Sequence, residues 1–401
     1  MGENSQKDTG LSLASRLVHS DDGISTHRAV APAMHVSTTF RYSDNPDMLQ
    51  PEVFVDSETK ADDFQPNAPL DSHVYSRYTT PNTTRLEAIL TSVLGGKALT
   101  YASGLSAFHM MLVRINPKRI AIGEGYHGCH GVIDILGRLT GLQKLPLDCD
   151  PSELQPGDVI HVETPLNPTG EARDLQYYAD KAHAVGAYLT VDATFAPPPL
   201  QDPFAHGADV VVHSGTKYFG GHSDMLCGVL ALSPRLPQDE WFAPMLMEGW
   251  LGLRSMRTME LRVLRQSKTA TDLVAWLAAE IKDPASAVGK VVDHVKHASL
   301  QPEAADETSW LRRQMPGGYG PVFSLAMKSE AVAKRLPSKL RLFHHATSLG
   351  GVESLIEWRA MTDKAVERNL LRVSIGVEAL EDLKADFEQA FAELATEVEK
   401  E

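Results

Sequence analysis

Lys217 stands out by its neighbours, in His213-Ser-Gly-Thr-Lys-Tyr-Phe-Gly-Gly-His-Ser-Asp224. An apolar, β-branched run precedes it and a Gly-rich turn follows, so its amine sits at the C-terminal end of a strand, where open α/β sheets place ligands. A lysine partly withdrawn from water has a lowered pKa and can add to a carbonyl as a Schiff base. Ser214 and Thr216 flank it with hydroxyls suited to a phosphate. Asp192, in Val191-Asp-Ala-Thr-Phe195, ends a second such run. An acid there can keep the nitrogen of a pyridine ring protonated, which makes the ring an electron sink. Glu163-Thr-Pro-Leu-Asn-Pro-Thr169 ends a third, and Asn167 between its prolines could hold a ring hydroxyl. In Tyr101-Ala-Ser-Gly-Leu-Ser-Ala107, Ser103 and Gly104 open a helix whose free N–H groups suit an anion. Tyr126, after the next strand, offers a ring to stack on a planar group. Taken singly, each has an ordinary explanation: a surface lysine in a turn, a capping Asp, a common Asn-Pro turn.

The elements that must position these residues follow from hydrophobic period. Apolar runs at Arg119–Ile122, Val159–Val162, Tyr188–Val191 and Asp209–Val212 alternate with stretches of helical period. One such stretch is Leu175–Val185, closed by Gly186. This alternation predicts βα units on a mostly parallel sheet over residues 71–250. Residues 1–70 read as an irregular arm, rich in Asp, Glu and Pro from Tyr42 to Ser72. Leu251–Glu280 contains no Pro and predicts one long connecting helix. Strand-like Val322–Met327 and Leu371–Ile375, with a terminal amphipathic helix Leu380–Glu397, make residues 251–401 a connecting helix and a smaller α+β domain.

Of 401 residues, 43% are hydrophobic, enough for sizeable cores, and a net charge of −14 argues against a nucleic-acid partner. Three scattered cysteines, Cys129, Cys149 and Cys227, fit reduced thiols better than a disulfide framework. Met1 to Arg16 has no secretory core, Gln6 breaks the myristoylation pattern after Gly2, and no apolar run reaches membrane-spanning length. The expectation is a cytoplasmic protein with no membrane association. His127 and His130 have a metal-like spacing but no third ligand in view, so they are read as pocket residues and no metal is expected.

Ser-x-Thr-Lys-Tyr followed by Gly-His-Ser-Asp resembles the lysine signature of the Cys/Met-metabolism enzymes that use pyridoxal phosphate (PLP), such as cystathionine γ-synthase, cystathionine γ-lyase and methionine γ-lyase. The resemblance runs through most of the chain in order. Tyr75-Ser-Arg77, with Pro81 and Glu87, resembles the arm segment that reaches the neighbouring subunit's cofactor phosphate. Ser103-Gly104-Leu105 resembles the phosphate cradle and Tyr126 the stacking tyrosine, while Asn167, Asp192 and Thr194 fall on the ring-hydroxyl, ring-nitrogen and ring-face positions. Ser348-Leu-Gly-Gly-Val-Glu-Ser-Leu355 and Leu371-Arg-Val-Ser-Ile-Gly376 resemble the segments that bind the substrate carboxylate, with Arg372 as its clamp.

The resemblance implies the α/β PLP-dependent transferase fold of aspartate-aminotransferase type (fold type I). It also implies a small amino-acid substrate and a homodimer or homotetramer with composite active sites. Lys217 would hold PLP and act as general base, and Tyr126 would assist proton transfers. The expected reaction is γ-replacement on an O-acylated homoserine through a vinylglycine-type intermediate, with C–S β- or γ-lyase activity as the alternative. A catalytically silent PLP-binding regulator is a rival of another class, opposed by the retained Lys217, Asp192, Tyr126 and Arg372. Some positions depart from the family pattern. Ala193 and Thr80 replace the usual Asn, and His127-Gly128-Cys129-His130 replaces a Gly-Gly-Thr type run. Thr347 stands where enzymes that recognise cystathionine's distal amino group often carry an acid, and Glu357-Trp358-Arg359 replaces small and proline-like residues.

Overall fold

The computed structural model describes residues 10–24, 29–41, 73, 75–76, 79–236, 249–363 and 366–398. The first helix, α1 (Leu13–His19), corrects the expectation of an arm without regular structure. Ser12 caps it, and it packs on α2 (Pro81–Leu94), which Thr80 caps with Pro81 in the first turn. Asp21, fully buried, accepts from Arg85 Nε at 2.7 Å and Arg257 Nη2 at 2.8 Å. Trp250 Nε1 donates to the Pro32 carbonyl at 3.0 Å. These polar ties, rather than a periodic pattern, hold the described part of the arm on its own chain.

From Lys97 the chain alternates. The order is β1 (Lys97–Tyr101), α3 (Gly104–Ile115), β2 (Arg119–Ile122), α4 (His127–Thr140), β3 (Gln143–Pro146), β4 (Val159–Glu163), α5 (Leu175–His183), β5 (Tyr188–Asp192), β6 (Val210–Ser214) and β7 (Gly228–Leu232). Among the described residues these strands form a seven-stranded sheet in the order β1-β7-β6-β5-β4-β2-β3. Only β7 runs antiparallel to its neighbours, β1 and β6. Cover on both faces explains the near-continuous apolar runs in β4, β5 and β6. Each of those strands ends on a polar residue that is only partly buried, Glu163, Asp192 or Ser214.

The remainder comprises α6 (Gly249–Met256), α7 (Met259–Glu280), α8 (Ala287–Val291), β8 (Val292–Lys296), α9 (Trp310–Gln314), β9 (Val322–Met327), α10 (Glu330–Lys339), β10 (His344–His345), β11 (Leu355–Trp358), β12 (Leu370–Ser374) and α11 (Leu380–Val398). The smaller sheet has the order β10-β11-β12-β9-β8. Its core gathers Leu277, Phe323, Leu336, Phe387 and Phe391 from α7, β9, α10 and α11.

The single helix expected over 251–280 is two. Thr258, with φ −119° and ψ 9°, leaves helical geometry between α6 and α7. Arg262 donates to the carbonyls of Ser255 and Tyr218, both at 2.9 Å, and Arg257 reaches back to Asp21. Side-chain donors thus take over a carbonyl that a continuous helix would have used. The helix expected over 175–185 stops at His183, and Gly186, at φ +73°, then turns the chain into β5.

Candidate active site

The strand ends of the larger sheet and two segments of the smaller one enclose a cavity of about 400 Å³. Lys217 lies on its wall, in the turn after β6, where its N–H donates to the Ser214 carbonyl at 3.0 Å. Its Nζ donates to Ser348 Oγ at 3.1 Å. Burial, assisted by the Arg372 guanidinium, pulls the amine down to about 8, against the pull of Asp192 and Glu357. About a tenth of the amine is therefore neutral at pH 7, far more than for an exposed lysine. Ser348 has φ +68°, a left-handed conformation uncommon outside glycine. Two residues on, Gly350 at φ +82° lies so close that a Cβ would come 3.1 Å from Lys217 Cα. Glycine there lets the segment lie against the lysine's backbone.

Asp192 accepts from the Thr194 N–H at 2.9 Å and the Thr194 hydroxyl at 2.5 Å. The same hydroxyl accepts from the Ser214 N–H at 2.8 Å, which ties β5 to β6 at the cavity. Glu163 is register partner to Asp192 on the neighbouring strand. It accepts the N–H groups of Tyr126 at 2.8 Å and Asn167 at 2.7 Å. Burial raises both carboxyls. Glu163, which also feels Asp192, reaches about 8. Glu163 therefore keeps a proton at pH 7, while in Asp192 the rise from burial is opposed by its Thr194 bonds and by Lys217.

Asn167 is buried in the turn after β4, and its Oδ1 accepts from Arg372 Nη1 at 3.4 Å. Ser103 caps α3 by accepting from the Ser106 N–H at 3.1 Å. The first N–H groups of α3, at Gly104 and Leu105, have no carbonyl within the helix to meet. Gly228 of β7 lies beneath Ser103, where any Cβ would strike the Ser103 carbonyl, so β7 can pass under the cradle. Thr216 lines the cavity, but its hydroxyl is engaged with the backbone of Cys227. Tyr126, 39% exposed, precedes α4; burial raises its phenol, which stays protonated at neutral pH.

The other wall comes from Thr347, Ser348 and Leu349 and from β11 and β12. Glu357 is register partner to Arg372, and Arg372 Nη2 reaches its Oε2 at 2.6 Å and the Ser348 carbonyl at 2.8 Å. Burial lowers the Arg372 guanidinium to about 10, so it remains a cation.

The cavity therefore unites Ser103, Gly104, Leu105, Tyr126, Asn167, Asp192, Thr194, Ser214, Thr216, Lys217, Thr347, Ser348 and Arg372. Tyr75 is elsewhere. It is partly exposed, forms an antiparallel bridge with Thr39, and does not line the cavity. Arg77 lies outside the described residues. Sequence reasoning assigned no role to Glu163, Glu357, Arg359 or Thr362, which all line it. For Glu357 and Arg359 the signal in the sequence was their departure from the small and proline-like residues usual there.

One buried lysine, a buried carboxyl held by hydroxyl and amide donors, and a helix N-terminus packed on glycine are the donor set that PLP needs. The family model of the Cys/Met metabolism PLP-dependent enzymes matches residues 14–392. The chain belongs to this family. It is a PLP-dependent enzyme with the α/β fold of the cystathionine synthases and lyases, the aspartate-aminotransferase type of PLP fold. Cystathionine γ-lyase of Saccharomyces cerevisiae is 29% identical over 410 residues, 94% of this chain and 96% of that protein. Cystathionine γ-synthase of Mycobacterium bovis is 35% identical over 344 residues, 79% of this chain and 85% of that one. The crystal structure of metB from Corynebacterium glutamicum matches with a TM-score of 0.81 at 27% identity, covering 96% of this chain and 99% of the other. No helix among the described residues is long and apolar enough to cross a membrane.

Proposed function

We propose that this enzyme catalyses γ-replacement on an O-acylated homoserine, adding a thiol or carbon nucleophile at Cγ. The observation that carries this reading is the state of the acids lining the cavity. Glu163 is held by backbone amides, Asp192 by Thr194, and Glu357 by Arg372, Arg359 and Thr362. Thr347 is uncharged, so among the described residues lining the cavity no free carboxylate is offered to the distal ammonium of cystathionine, whereas an ester asks for none.

Bound PLP, held by Lys217, Asp192 and the first turn of α3, supplies the electron sink that makes the substrate's Cα proton labile. Arg372 orients the α-carboxylate through its guanidinium fork, supported by Glu357 and the Ser348 carbonyl. The Lys217 amine, near 8, takes the Cα proton, gives it up within the site so that it is a free base again, and then takes a Cβ proton, while the Ser348 hydroxyl holds its direction. The leaving group departs from Cγ, the nucleophile adds there, and Lys217 returns protons to Cβ and Cα. The neutral Tyr126 hydroxyl donates to the departing oxygen.

C–S β- or γ-elimination is the second reading, favoured by the S. cerevisiae γ-lyase's likeness across 94% of the chain. The test offers the holoenzyme O-acetylhomoserine, O-succinylhomoserine, cystathionine or cysteine, with and without a thiol, and reads all products by mass. A substitution product that requires the thiol is expected. Only 2-oxo acid and ammonia, whatever the nucleophile, would overturn γ-replacement.

We further read Tyr75 and Arg77 as completing the site of a neighbouring subunit, because Tyr75 lies away from its own chain's cavity. Mixing Arg77→Ala with Lys217→Ala subunits should restore one intact site per heterodimer. No recovery despite subunit exchange, or a fully active monomer, excludes the crossing.

A further inference from the structure

His127 is the first residue of α4, directly after Tyr126, and its exposed side chain lines the cavity. The two rings lie 5.0 Å apart between centroids, tilted by 54°. Neither nitrogen of the imidazole has a hydrogen-bond partner among the described residues. The other titratable groups on the wall are engaged. Glu163 and Asp192 accept from backbone amides, and Glu357 is held by Arg372, Arg359 and Thr362. Burial lifts the Cys129 thiol well above its ordinary range, so it keeps its proton, and the Tyr126 phenol keeps its own. Lys217 handles the protons on Cα and Cβ. Substitution at Cγ asks for one proton transfer more, because a thiol arrives protonated and becomes a strong nucleophile only as that proton leaves. Among the described residues lining the cavity, His127 is the one unengaged base, and imidazole is the side chain most often used for that task. It also opens the run in which this chain departs from a Gly-Gly-Thr type pattern.

Resting on the γ-replacement reading, we propose that His127 is a further catalytic residue, the general base that takes the proton of the incoming thiol as its sulfur bonds to Cγ. The S–H bond breaks, its proton passes to the imidazole, and the sulfur electron pair forms the S–Cγ bond. The Cβ–Cγ double bond left by the departed group opens, and its electron pair takes a proton at Cβ from Lys217. The departed oxygen keeps the pair of the broken Cγ–O bond and leaves with the Tyr126 proton. Solvent reaches both exposed rings, so it takes the proton from His127 and returns one to Tyr126.

The test gives the holoenzyme O-acetyl- or O-succinylhomoserine with two thiols of like size, ethanethiol and the more acidic trifluoroethanethiol, and reads the thioether by mass in wild type and His127→Gln. The substitution should lower kcat/KM for ethanethiol about 10²-fold, and for trifluoroethanethiol, which ionises with little help, by less than about threefold. Deuterium uptake from heavy water at Cα of norvaline, which has no leaving group, reports Lys217 alone and should not change. Equal losses with both thiols would mean that His127 only shapes the wall. That result, no loss with either thiol, or a matching fall in deuterium uptake overturns the proposal. Should His127→Gln not retain PLP absorbance, His127→Ala decides. Added imidazole should restore its rate with ethanethiol, and no restoration rejects the base. Wild type that makes no thioether from either ester ends the γ-replacement reading and the proposal with it, whereas replacement undiminished in His127→Gln rejects His127 alone.

Discussion

The two walls of the cavity are held by different forces. The larger sheet presents the ends of β4, β5 and β6, where Glu163, Asp192 and Ser214 occupy positions set by parallel register, and the Thr194 hydroxyl, donating to Asp192 and accepting from the Ser214 N–H, ties β5 to β6. The smaller sheet presents Glu357 and Arg372 as a cross-strand pair, with Arg359 joined to the same carboxylate. Backbone pairing makes the first wall insensitive to most side chains. Buried ion pairs make the second depend on a few, because removing one partner strands the other. The family match spans both walls, yet the departures at Thr347 and Arg359 fall on the second. Chemistry common to a family can stay on the backbone-held wall while substrate choice drifts on the other.

The largest effect that would break this contrast is at Lys217. Lys217→Ala should lower turnover by about 10³-fold or more, and borohydride reduction followed by peptide mapping should label Lys217 in wild type. Label on a different lysine would remove it from the site. Asp192→Ala should retain PLP by absorbance and lose about 10²- to 10³-fold in kcat, if Asp192 is the partner of the ring nitrogen as proposed. Near-normal activity would detach the first wall from the chemistry. On the second wall, Glu357→Gln keeps the shape and loses the charge that steadies two arginines. It should raise KM for the amino-acid substrate about tenfold with kcat changed less, and leave PLP absorbance alone. Equal losses in kcat and kcat/KM would show that this wall also shapes the chemical step.

The smallest effect joins the walls. In enzyme stripped of PLP, the neutral form of Lys217 is the nucleophile that captures the cofactor, and its fraction grows as pH rises. The capture rate should climb through a midpoint near pH 8 and then level off, well below the range of an exposed lysine. Removing the neighbouring positive charge with Arg372→Gln should move that midpoint upward. A profile centred near 10 in wild type would mean that burial does not tune this amine.

Much of the first wall was legible in the chain. Lys217, Asp192 and Asn167 each follow an apolar run that ends on a polar residue, and Ser103 followed by Gly104 marks a helix start. These signals are local: a strand end, a cap and a turn are each written within a few residues. The expected helix over 251–280 failed because its break is not local. Thr258 leaves the helix where Arg262 takes the Ser255 carbonyl and Arg257 answers Asp21, 236 positions away. The arm's helix was missed because what holds it is likewise distant in sequence.

By itself the sequence determined the alternation of strand and helix, the lysine in its turn and the order of the family's segments, all carried by short-range pattern. Only the tertiary structure decided which groups share charge. Glu163 keeps a proton because it is buried and register sets it beside Asp192, and Glu357 meets Arg372 because β11 pairs with β12. Electrostatic coupling falls with distance through space and grows with burial, and neither is written in the spacing of residues along a chain.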